Sequence, residues 1–164
     1  MNDSTELACY EDFVEAPSPT EGRLGEDQAR LLKHGYYACL SFLDSLIGRV
    51  LAALDSLGLR ENTIVCLWGD NSYKLGEHGS WGKQTNYEID TRTPLIVAAP
   101  GLVPQGGRSD ALVELVDVYP TLCGLAGVAA PAGLEGVSLE PLFKEPGRPW
   151  KTAAFSQYPK GFTN

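Results

Sequence analysis

The 164 residues are 43% apolar and 21% charged, the make-up of a folded globular domain or a large piece of one rather than of a disordered chain. Thirteen basic against 21 acidic side chains leave a net charge of −8, so a nucleic-acid partner, whose phosphates need many cations, is not expected. No apolar run approaches the roughly 20 residues that cross a bilayer; no membrane partner is expected, and Met1–Leu7 lacks the basic flank and apolar core of a secretory signal.

Residues 1–26, broken by Pro17, Pro19, Gly22 and Gly25, read as an irregular segment ahead of a domain over 27–164. A helix is predicted from about Asp27 to Leu57. Its apolar stripe is Tyr36, Leu40, Leu43, Ile47, Val50 and Leu54, and Gly58 is its stop signal. Thr63–Trp68 is apolar on both faces and rich in β-branched residues, as a central strand covered by helices would be. Leu95–Ala99, between Pro94 and Pro100, reads as a second strand of the same sheet, with the first helix packed across it. Leu112–Leu125 is a second amphipathic helix limited or kinked by Pro120. Ala126–Pro149 reads as loop, and Ala153–Tyr158 as a short strand. The order is that of an α/β sheet layered with helices.

Cys9, Cys39, Cys66 and Cys123 show no Cys-x-x-Cys spacing, so a zinc knuckle is unsupported, and Cys39 and Cys66 lie in apolar runs as buried thiols would. His34 and His78 are too few for a multi-histidine metal site.

Chemistry concentrates in 68–88, where polar residues crowd behind the first apolar strand, the place at which open α/β sheets bind ligands. Asp70 and Asn71 are adjacent oxygen donors that suit a hard cation such as calcium, although the same pair is common in turns and cannot fill a shell alone. Lys83, thirteen positions on, is either a point charge for a sulfate or phosphate oxygen or a solvated surface lysine. His78 either donates to an anion or organises its glycine-rich loop. Lys74, Glu77 and Glu88 read as surface or supporting contacts.

The ordered set from Tyr36 to Tyr158 resembles the type I sulfatases of the alkaline phosphatase superfamily, in particular their iduronate-2-sulfatase-like branch. It comprises Tyr36-Tyr37-Ala38, Asn62-Thr63-Ile64-Val65, Asp70-Asn71, Leu75-Gly76-Glu77-His78-Gly79 with Trp81 and Lys83, Thr91-Arg92-Thr93-Pro94-Leu95-Ile96, Glu114-Leu115-Val116-Asp117 and Phe155-Ser156-Gln157-Tyr158-Pro159. The resemblance implies a partial alkaline-phosphatase-like sulfatase domain with a mixed sheet flanked by helices. It also implies metal ligation by Asp70 and Asn71, with Ca2+ favoured over Mg2+, and a sulfate contact by Lys83. His78 belongs to the matching loop without a carried-over catalytic role. Ser72 stands where the family usually has glycine.

The family's nucleophile is a formylglycine made from cysteine in Cys-x-Pro-Ser-Arg or a close variant. None of the four cysteines lies in such a sequence, and the acidic pair that completes the family's metal shell is also missing. The formylglycine is therefore expected in an N-terminal half absent here, which would be this chain's structural partner. The isolated chain is expected to be inactive, and its implied substrate is a sulfated small molecule or glycan. The alternatives are a phosphoester or phosphonate hydrolase of the same superfamily and a non-catalytic binding remnant. Family members are usually lysosomal, periplasmic or secreted.

Overall fold

The computed structural model describes residues 24–83 and 85–158. Almost all of the irregular segment expected at 1–26 lies outside them. Contacts divide the chain into two compact units. Of the described residues, one holds 24–52, 71–83, 85–93 and 157–158; the other holds Ala53–Asp70 and Pro94–Ser156.

Helix α1 spans Glu26–Ser56, within one residue at each end of the span read from the stripe. Glu26 and Asp27 place carboxylates in its first turn, where they offset the positive end of the helix dipole. At its other end Gly58 takes φ +67°. The Leu59 N–H then bonds the Leu54 carbonyl at 2.9 Å and the Gly58 N–H bonds that of Asp55 at 3.0 Å. This double closure needs a left-handed residue that glycine adopts at no steric cost.

No residue of α1 is buried; of its stripe Tyr36, Ile47 and Leu54 are half-buried, while Leu40, Leu43 and Val50 are exposed. The reading of run lengths is also corrected here. By length and composition α1 could cross a membrane, since charges interrupt its apolar run without outweighing it. Over 37–54 they are Asp44 and Arg49 alone.

Strands β1 (Val65–Trp68) and β4 (Leu95–Ala98) pair antiparallel, with Val65 opposite Ala98 and Trp68 opposite Leu95. The two apolar runs thus share one sheet, as read. The full cover expected for a central strand is absent. Leu67, Trp68 and Ile96 are 39%, 48% and 58% exposed, and β1 has a single strand neighbour. All strand pairs among the described residues are antiparallel, so the parallel component of the expected mixed sheet is not present in them.

Helix α3 occupies Val118–Leu125, later than the predicted start at Leu112. Pro120 falls in its first turn, where an N–H has no intrahelical partner to lose, so the proline neither kinks nor ends the helix. The true start is a capping box at the 3-10 turn Leu115–Asp117, in which Glu114 and Asp117 accept each other's backbone N–H groups.

Helix α4 (Glu140–Lys144) lies inside the stretch read as loop and carries Pro141 in its first turn, where a missing N–H costs no intrahelical bond. Ala99, Val118, Leu125, Leu139 and Leu142 are buried in this unit. Ala153–Tyr158 is not a strand: the Phe155 N–H donates to the Glu114 carboxylate at 3.0 Å instead of joining a ladder. Cys39 is exposed and Cys66 half-buried, contrary to the buried thiols expected from their apolar runs. Burial still raises the Cys66 thiol above its ordinary value.

Candidate functional site

The polar segment after β1 folds as a hairpin too short to register as strands in the sequence. Strands β2 (Lys74–Leu75) and β3 (Trp81–Gly82) pair Lys74 with Gly82 and Leu75 with Trp81. Between them the chain turns through Glu77–Gly79. The Gly76 N–H bonds the Ser80 carbonyl at 3.0 Å and the Ser80 N–H bonds that of Glu77 at 3.0 Å. The Glu77 carboxylate accepts the Leu75 N–H at 2.6 Å, which holds the turn from its side chain.

His78 sits at φ +57°, alone among the described non-glycine residues in having a left-handed backbone. Its ring stacks on Tyr87 at 4.6 Å between centroids, with 18° between the planes. That contact offsets part of the cost of the backbone conformation. On the far side, α2 (Glu88–Thr91) follows Tyr87, and the Glu88 carboxylate pairs with Arg92 at 3.2 Å on the surface.

The segment closes on a buried polar network that the sequence reading did not single out. Lys74 is fully buried and pairs with Asp90, which is 3% exposed. Asp90 Oδ2 also accepts the Thr85 hydroxyl and, at 2.9 Å, the Thr85 N–H. The Asp90 carbonyl accepts the Ser72 N–H at 2.8 Å. Asp90 Oδ1 is buried with no partner among the described residues. Lys74 had looked like a surface or supporting contact, because nothing in one sequence marks a buried lysine until its partner sixteen residues away is known. Tyr36 of α1 stacks on neighbouring Tyr73 at 5.4 Å.

Lys83 directly follows β3 and is half-buried, with no acceptor among the described residues. Its stem is partly covered while its ammonium keeps access to solvent and stays unpaired in a chain with eight excess acids. Asn71 is half-buried and shares the compact unit of His78 and Lys83. Asp70 is exposed at the end of the other unit, two residues beyond β1. Neither side chain has a hydrogen-bond partner among the described residues, so both keep their oxygens free. Among the described residues no group of three or more His, Cys, Asp or Glu side chains could hold a metal. The two donors therefore fit part of an oxygen shell and not a whole one. Ser72, in the family's glycine position, has no left-handed backbone, so its side chain imposes no strain of that kind.

Comparison with known proteins gives this geometry a context. The family model described as "Sulfatase" matches residues 8–128. Mouse (Mus musculus) iduronate 2-sulfatase is 35% identical over 85% of this chain and 33% of its own length, so the chain spans about a third of that curated relative. A protein solved in complex with its substrate D-glucosamine-2-N,6-O-disulfate is 37% identical. It superimposes with a TM-score of 0.67 over 72% of this chain and 24% of its own. The phosphonate monoester hydrolase of Silicibacter pomeroyi, 30% identical, gives a TM-score of 0.69 over 85% of this chain and 26% of its own. With the family match covering most of the chain and the motif hairpin in place, the chain belongs to the sulfatase family, as part of an alkaline-phosphatase-like domain.

Proposed function

We propose that this chain supplies part of a sulfate-ester hydrolase site. In it Lys83 is the sulfate-binding group, and Asp70 and Asn71 are oxygen ligands of a divalent cation, Ca2+ in preference to Mg2+. The observation that carries the reading is the Lys83 ammonium, solvent-accessible and without an acceptor among the described residues, directly after the motif hairpin of a sulfatase-family chain. An ammonium held in this way stabilises sulfate oxygens as the ester bond breaks. A cation bound at Asp70 and Asn71 would orient the nucleophile and offset the charge developing on the sulfate.

The substrate class is a sulfated saccharide or small molecule. It is supported by the relative solved with a disulfated glucosamine and by the likeness to an iduronate 2-sulfatase. A phosphonate or phosphoester substrate is the second reading, favoured by the likeness to the phosphonate monoester hydrolase. The cysteine that would mature to formylglycine has no motif in these 164 residues. Turnover is therefore expected only when that nucleophile is supplied on the rest of a sulfatase domain.

In protein so completed, Lys83→Ala is expected to lower kcat for an aryl sulfate by about 10²–10³-fold, the loss seen on removing one preorganised donor, with a smaller change in KM. Asp70→Ala is expected to abolish calcium binding in calorimetry. Unchanged turnover in the first variant, or unchanged calcium affinity in the second, would return that residue to a surface role. Faster turnover of an aryl phosphonate than of an aryl sulfate would select the second reading.

A further inference from the structure

We infer that Lys74 and Asp90 are a positioning pair that holds the two flanks of the candidate site, Asn71 and Lys83, at a fixed spacing. The inference rests on the reading of Lys83 as the sulfate-binding group. The Asp90 side chain takes the Lys74 ammonium, the Thr85 hydroxyl and the Thr85 N–H on one oxygen, while its backbone carbonyl takes the Ser72 N–H. Ser72 is the residue after Asn71, and Thr85 lies two beyond Lys83. Lys74 itself stands opposite Gly82, the residue before Lys83, across the hairpin. One aspartate therefore ties the chain on the near side of Asn71 to the chain on both sides of Lys83.

Energetics point the same way. A lysine with no exposed surface and an aspartate at 3% give up most of their hydration. Well-packed apolar residues commonly replace such pairs without loss of stability, whereas removal of one partner is severe. What an apolar pair cannot supply is the direction of three donors converging on one oxygen and the grip on Thr85. The orphaned Oδ1 fits this account, because the carboxylate is turned to serve the site-side donors rather than to satisfy itself.

The test compares the full 164-residue chain with Lys74→Met/Asp90→Leu, and uses Lys83→Ala as the site control. The measurements are thermal unfolding, amide exchange at Ser72 and Thr85, and binding of inorganic sulfate followed by NMR. We expect the double variant to unfold cooperatively, to lose exchange protection at both amides and to bind sulfate at least tenfold more weakly. Unchanged sulfate affinity in the double variant, with Lys83→Ala still defective, would overturn the inference and leave the pair a stabilising contact. Sulfate binding that is absent in the parent chain, or unaffected by Lys83→Ala, would instead overturn the reading of Lys83 and the inference with it. If the double variant fails to fold, the single variant Thr85→Val decides. It removes one donor while leaving the ion pair, and an unaltered sulfate affinity there also overturns the inference.

Discussion

Each compact unit holds a buried aspartate paired with a lysine, Lys74 buried and Lys151 half-buried, and the two pairs are wired in opposite ways. Asp117, fully buried, shares its load: Oδ1 accepts the Val137 N–H at 2.8 Å, Oδ2 accepts the Glu114 N–H at 2.9 Å, and Lys151 lies 2.8 Å from both. Its own carbonyl accepts the Thr121 hydroxyl, which in turn accepts the Leu139 N–H at 2.8 Å. Every oxygen of that aspartate is used, and the bonds staple the start of α3 to the segment before α4. Asp90 loads three donors on one oxygen and leaves the other orphaned. Full satisfaction marks a node that holds a fold together. Lopsided satisfaction beside an unpaired Lys83 marks one arranged for its neighbours.

The largest effect should come from breaking the lopsided pair. Asp90→Ala leaves the Lys74 ammonium buried and alone, and is expected to cost about 3–5 kcal/mol in chemical denaturation, the usual penalty for unpairing a buried charge. A loss below about 1 kcal/mol, within the scatter of surface substitutions, would mean that Lys74 reaches water by another route.

The second node can be disturbed by geometry rather than charge. A Cβ on Gly136 would lie 2.0 Å from the Val116 carbonyl oxygen and 3.0 Å from the Asp117 nitrogen. Gly136→Ala should therefore cost about 1–3 kcal/mol through forced backbone movement. Gly147→Ala, which meets nothing within 4 Å, is the control. Equal midpoints for the two variants would show that the approach of 136 to 116–117 is not tight.

The smallest effect is a dependence on pH. The hydrogen bond from Lys151, aided by the Phe155 N–H, holds the Glu114 carboxyl below its ordinary value. Burial is the largest single influence on Lys151 and pulls its ammonium down, but bonds to Asp117 and Glu114 together lift it above its ordinary value. A depressed carboxyl stabilises above its unfolded pKa and loses that contribution as pH falls through the folded one. A raised ammonium does the reverse at the alkaline end. The Glu114–Lys151 contact is thus intact across neutrality and is lost only at a pH below the ordinary carboxylate range. The thermal midpoint of the parent chain should fall more steeply below that pH than that of Glu114→Gln. Parallel curves would remove Glu114 from the account.

Long periodic features were legible in the sequence. The stripe and Gly58 marked α1 almost to the residue, and two apolar runs, the second between Pro94 and Pro100, marked the paired strands β1 and β4. The hairpin at 74–82 was not legible, because two-residue strands carry no period and are set by tertiary bonds. Pro120 misled because a proline inside a first turn and one inside a helix look alike until the capping box at Glu114 and Asp117 is seen. Ala153–Tyr158 has strand-like composition but no neighbour to pair with, and composition cannot supply one. Of the candidate site, residue types and their order were readable. The pairing of Lys74 with Asp90 was not, since it depends on a contact between two residues sixteen positions apart that nothing in the sequence marks as buried.

The lengths of chain that the two nodes close also set an order of events. Lys74 and Asp90 are sixteen residues apart, and Asp117 and Lys151 thirty-four, about twice as far. Each doubling of a closed loop adds only about 0.6 kcal/mol of chain entropy to its closure. That small difference nonetheless acts on the search that precedes native contact, where short-range pairs form sooner than long-range ones. The hairpin segment carrying Lys83 can therefore assemble from its own neighbourhood, while the staple of Asp117 must wait for a distant lysine to arrive.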